Sequence, residues 1–190
     1  ASVTSRETAA LPQAENLSIE AFFQQALNAH QAGDIKYAKD VYEYILSVQP
    51  EHVEAIHALG LLAIELLQWD TAIAWIQKAL SIQPNSARFH LHLANVFKKI
   101  NQCEFALTHY QAALRLDPNY AEVHNNLAGL FYKQNQLNLA RQHYVKAIDL
   151  KPDYLDAHFN LGLVFLAQQE KNAAVTQFKN VLSLYPNFIQ

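Results

Sequence analysis

The sequence predicts an all-α protein, a solenoid of five antiparallel helix pairs, on three observations. Pro50, Pro84, Pro118, Pro152 and Pro186 recur at an unvarying interval of 34 residues, and a fixed period of that size marks stacked supersecondary units. Each period carries two apolar stripes with the i, i+3, i+4, i+7 spacing of a helix face. Positions 8 and 20 of every period are Ala or Gly, so two helices can approach closely while a large residue at position 24 fills the adjoining gap. Counting each proline as position 32 sets the units at 19–52, 53–86, 87–120, 121–154 and 155–188. Residues 1–18 are expected to be an N-terminal extension, loose or forming a short cap, and 189–190 the start of a truncated or next helix.

The first helix of each unit is carried by positions 4, 7, 8 and 11. Phe22, Gln25, Ala26 and Ala29 fill them in the first unit, the weakest match, as terminal repeats often are. Ile56, Leu59, Gly60 and Ala63 follow in the second, and the third to fifth begin the stripe with His90, His124 and His158. A left-handed residue must then end the helix, a conformation that Gly33, Asn101 and Asn135 tolerate and from which Leu67 and Gln169 depart in type. The second helix is carried by positions 20, 24, 27 and 28, for example Ala106, Tyr110, Ala113 and Leu114. The proline stops it by lacking an amide donor and by restricting the residue before it. Asn85, Asn119, Asp153 and Asn187 come next and are expected to cap the helix that follows.

These residues resemble the tetratricopeptide repeat family in the 34-residue unit, Leu-Gly or Leu-Ala at positions 7 and 8, alanine at 20, an aromatic at 24 in four units, and proline at 32. The resemblance implies a right-handed superhelix of antiparallel helix pairs, with the first helix of each pair lining a concave groove. Within the family the repeats look most similar to the superhelical region of O-linked N-acetylglucosamine transferases.

Composition narrows the function. With 51% apolar and 16% charged residues the chain buries a core, and a formal charge of −3 argues against binding nucleic acid or anionic membrane by basicity. The one cysteine, Cys103, makes neither a disulfide nor a zinc site by itself. No apolar run reaches the roughly 20 residues that span a bilayer, and a cytoplasmic protein without cofactor is expected. Four glycines leave little material for phosphate loops or strained catalytic turns, and no nucleophile elbow, HExxH or CxxC is present. A non-enzyme is expected. His90, His124 and His158 invite a metal reading, but equivalent residues of successive pairs stand too far apart to share one ion. They read as packing histidines.

Recognition is expected on the first-helix face opposite the apolar stripe, positions 2, 5, 6, 9, 12 and 13. It carries His57 in the second unit and Arg88, His92, Asn95, Lys98 and Lys99 in the third. The fourth contributes Asn125, Asn126, Tyr132 and Lys133, and the fifth Asn160. The resemblance turns this face into the groove. Asn126 and Asn160 share position 6 and look like the asparagine ladder of the O-linked N-acetylglucosamine transferases, which Ala58 breaks in the second unit. An amide there can pair with the main chain of an extended peptide. Residues 87–190 carry 10 basic and 7 acidic side chains against 4 and 10 in residues 1–86, which favours a partner of acidic character near the central groove. The chaperone-tail clamp of the family is not expected, because its cations are missing. Two functions remain: a scaffold binding an extended peptide, or the substrate-recruiting part of a larger glycosyltransferase or methyltransferase. The absence of a polar capping helix leaves self-association through the C-terminal end open.

Overall fold

A computed structural model describes residues 18–184, so the expectations for residues 1–17, for Pro186 and Asn187 and for 189–190 lie outside the described residues. The chain divides into two compact units after Pro84. The first holds α1 (Ile19–Gln31), α2 (Ile35–Val48), α3 (Val53–Glu65) and α4 (Trp69–Ile82). The second holds α5 (Ala87–Lys99), α6 (Cys103–Leu116), α7 (Ala121–Lys133), α8 (Leu137–Leu150), α9 (Leu155–Ala167) and α10 (Lys171–Leu184). No strand occurs among the described residues. Five helix pairs follow one another, each first helix 13 residues long and each second helix 14.

Packing accounts for the small residues. A Cβ added at Gly60 would stand 2.8 Å from Ile76, and one at Gly162 would stand 2.5 Å from Phe178. Where position 8 is alanine, at Ala26, Ala94 and Ala128, the residue opposite at position 24 is Tyr42, Tyr110 or Tyr144, and all six are buried. In the first repeat Phe22, Phe23, Ala26, Val41, Tyr42 and Ile45 close a core with Leu59 and Leu62 of α3, while the Gln25 side-chain oxygen is buried without a hydrogen-bond partner.

Two expectations are corrected. Leu67 and Gln169 do not depart from the turn: they take φ 57° and 63°, beside Asn101 at 60° and Asn135 at 58°. The amide of the residue after each, Gln68 or Glu170, bonds back to the carbonyl of Ala63 or Phe165. Closure of the helix pair therefore sets the backbone against the residue's own preference. The caps also fall one residue later than expected. Ser86 Oγ accepts from Phe89 N, and His52 Nδ1 accepts from Ala55 N. Tyr120 and Tyr154 hold the same place without a side-chain cap. Asn85, Asn119 and Asp153 stay in the preceding turn, a residue short of the position whose side chain reaches the open amides. The residues before the prolines, Gln49, Gln83, Asp117 and Lys151, leave the helix at φ −126° to −138°, the extended backbone a following proline demands.

Candidate functional site

The polar cluster of the second unit is built by α5, α7 and α9, with α7 touching both of the others. Lys98, in the last turn of α5, donates from Nζ to Asn126 Oδ1 of α7 at 3.0 Å. Its ammonium lies 6.0 Å from the ring of Tyr110, whose hydroxyl donates to Asn95 Oδ1 at 2.6 Å. Asn95, Lys98 and Asn126 thus form one connected network with a tyrosine of the second-helix row. Burial, then the Lys99 charge and also Lys133, push the Lys98 ammonium below its usual range, and Glu122 opposes them. Burial pushes the Tyr110 phenol well up, with Glu122 adding to it.

The other expected residues surround this network unevenly. Lys99 and Lys133 are exposed, and Lys133 reaches back to Asn101 Oδ1 at 2.8 Å. Arg88 is exposed with its guanidinium 5.2 Å from the Phe89 ring. Burial and then the Arg88 charge push His92 down to about 4, so His92 is neutral at physiological pH and supplies no charge. Tyr132 is exposed and Asn160 half-buried.

Position 5 needs correction. Asn125 is only 9% exposed and His57, in the other unit, only 3%; neither presents a surface to a peptide. A wheel drawn for one helix sets position 5 opposite the apolar stripe and takes no account of what the neighbouring repeats cover. Leu91 at that position is fully buried. The Tyr154 hydroxyl takes a hydrogen bond from Asn125, while burial, Glu122 and Asp156 together push its phenol up to about 12. The Asn125 carbonyl oxygen is buried without a hydrogen-bond partner.

Two participants escape the sequence reading of the site, Tyr110 and Asn101, whereas Glu122 falls at position 2 of the expected face. The one signal for Tyr110 is a hydroxyl at position 24, where the stripe asks only for an aromatic. Among the described residues no three His, Cys, Asp or Glu side chains gather as metal ligands, and no helix is long and apolar enough to cross a membrane.

Helix pairs repeating every 34 residues with an amide and lysine cluster on their first helices define a repeat scaffold. Models of the tetratricopeptide repeat match residues 23–87, residues 95–134 and 129–169, and residues 156–187, and the chain belongs to that family. None of these models is of a catalytic domain. No curated protein matches the chain. Among solved structures, MamA residues 41 to the end from Desulfovibrio magneticus RS-1 is 20% identical, with a TM-score of 0.78 over 90% of this chain and 97% of that one. PilF of Pseudomonas aeruginosa is 18% identical, with a TM-score of 0.81 over 87% of this chain and 75% of that one. YrrB, reported as a tetratricopeptide repeat protein with an unusual peptide-binding site, is 17% identical, with a TM-score of 0.69 over 90% and 89%. At these identities the likeness is one of fold.

Proposed function

We propose that the protein is a non-catalytic interaction scaffold whose second unit binds an extended peptide segment, acidic in character, along α5, α7 and α9. The single observation that carries this reading is the network in which Lys98 is held between Asn126 and the Tyr110 ring. A half-buried ammonium has lost water and gained only one hydrogen bond here, so a carboxylate supplying further acceptors would be received at little ordering cost. Lys98 takes one of the two lone pairs on Asn126 Oδ1, and the amide keeps both of its N–H donors for a partner. It would therefore meet a peptide carbonyl, and Asn160 in the same register would meet the next contact along the strand. Lys99 and Lys133 would draw acidic side chains to the rim. The peptide site reported for YrrB supports the class of ligand.

The test is affinity for arrays of acidic, neutral and basic peptides, read by fluorescence polarisation. Acidic peptides are expected to bind best and to weaken with salt. The double variant Asn126→Ala, Asn160→Ala loses two hydrogen bonds of about 1 kcal/mol each and should bind about tenfold or more weakly. Unchanged affinity with helicity intact would refute the site.

A second reading, a substrate-recruiting part of a larger transferase of the O-linked N-acetylglucosamine type, is favoured by the Asn126 and Asn160 register alone. Detection of a transferase domain in the same reading frame would decide for it.

A further inference from the structure

Two pairs of imidazoles lie outside the cluster above. His90 of α5 faces His109 of α6 with Nδ1 atoms 2.9 Å apart, and His124 of α7 faces His143 of α8 at the same 2.9 Å. Each pair joins the two helices of one repeat. Phe97 stacks on His109 and Phe131 on His143, with centroids 5.6 and 5.5 Å apart.

We propose that the third and fourth helix pairs carry an acid-release device, an imidazole pair that ties two helices together while it holds at most one extra proton and parts when a second arrives. The hydrogen bonds dictate this limit. His124 Nε2 lies 3.0 Å from the Pro118 carbonyl oxygen and so carries a proton, which leaves Nδ1 of the neutral ring to accept from Nδ1–H of His143. One extra proton is accommodated, because either ring can be the donor. A second sets two N–H groups head to head at 2.9 Å, with two like charges behind them.

At His109 and His143 the surroundings do not relieve that repulsion. Burial comes first and the partner ring second in lowering His109 and His143, and no carboxylate on the packed helices offsets either. The acid of the loop that presents the Pro118 carbonyl, Asp117, accepts instead from the amide of Asn119 at 3.0 Å.

The fifth repeat shows what a proton-tolerant version of the same joint looks like. His158 Nε2 lies 2.9 Å from the Pro152 carbonyl oxygen, as in the fourth repeat, but Nδ1 faces Gln177 Oε1 at 2.7 Å. A glutamine accepts from a protonated ring or, with its amide turned over, donates to a neutral one, so this pair holds in either state.

The sign of the pH effect follows. In the unfolded chain these rings protonate near about 6.5, whereas folding holds His143 down to about 4. Between those values the unfolded chain binds more protons. Stability is therefore complete above the unfolded value and drains as pH falls toward the folded one.

The experiment compares thermal unfolding of the full chain with that of a His109→Gln, His143→Gln double variant, which copies the His158–Gln177 joint. Between about pH 7.5 and about pH 5 the wild type is expected to lose roughly 5 °C more in Tm than the variant. Equal losses would overturn the proposal. If the variant fails to fold at neutral pH, imidazole nitrogen shifts of the wild type decide the matter. The proposal requires one ring of each pair to stay neutral at about pH 5, with the His92 signal identified through His92→Gln. Both rings of each pair charging together near about 6.5 would overturn it.

Discussion

Leu67 stands 67% exposed at φ 57°, a conformation in which its side chain crowds the following carbonyl and gains no burial in return. Gly33 holds the same place in the first repeat at φ 83° with nothing within 4 Å of where a Cβ would sit. Leu67→Gly is therefore expected to stabilise the protein by about 0.5–1 kcal/mol, the relief of left-handed strain outweighing the entropy glycine adds to the unfolded chain. Urea denaturation checks it, and a lower midpoint would show that Leu67 makes a stabilising contact. The same residue marks where sequence reading fails. Gly33, Asn101 and Asn135 advertise the turn by type, whereas Leu67 and Gln169 take the same backbone because both flanking helices are already fixed by packing. Lys98 and Asn126 illustrate the matching limit at the site. Both are legible as residues of one face, but they lie 28 positions apart, and their bond depends on how one repeat leans on the next.

The helices themselves start at fixed places but are capped unequally. Asp34 opens α2 at φ −81°, ψ 71° and accepts from Tyr37 N at 3.1 Å. Gln102 and Gln136 open α6 and α8 with nearly the same backbone, φ −85°, ψ 70° and φ −89°, ψ 65°, yet their longer side chains make no cap. The geometry for a cap is present and only the reach is wrong. Gln102→Asp and Gln136→Asp should each add about 1 kcal/mol and raise Tm by about 2–4 °C, and the carboxylate adds a favourable charge at the helix N-terminus. Calorimetry reads the shift, with a smaller gain expected at a pH low enough to protonate the new side chain, whose carbonyl oxygen still accepts while its charge is lost. Helix existence and order were legible because the 34-residue period repeats the apolar stripe five times. Cap identity was not, since it depends on a single residue's offset from the proline turn.

At the scale of the whole molecule, the repeats of the second unit are stacked, so protection against opening depends on neighbours on both sides. The α7 and α8 pair has them, through α5 and α6 on one side and α9 on the other. In the last pair, by contrast, Phe159 is 48% and Val175 50% exposed, and Ala174 is the one fully buried residue of α10. The counterpart of Phe159 in the third repeat, Leu91, is fully buried. Among the described residues α10 packs against α9 alone, whereas α7 packs against four helices, so opening α10 carries the smaller hydrophobic cost. Amide exchange in α10 is expected to run on the order of tenfold or more faster than in α7, measured by mass spectrometry on peptides from each helix. Repeating the measurement across protein concentrations tests self-association through this apolar face. A second copy seated on it would slow α10 exchange as concentration rises and leave α7 unchanged, because association protects only what it covers. Exchange rates in α10 that ignore concentration would dismiss the self-association, and rates as slow as those of α7 at every concentration would overturn the neighbour argument itself.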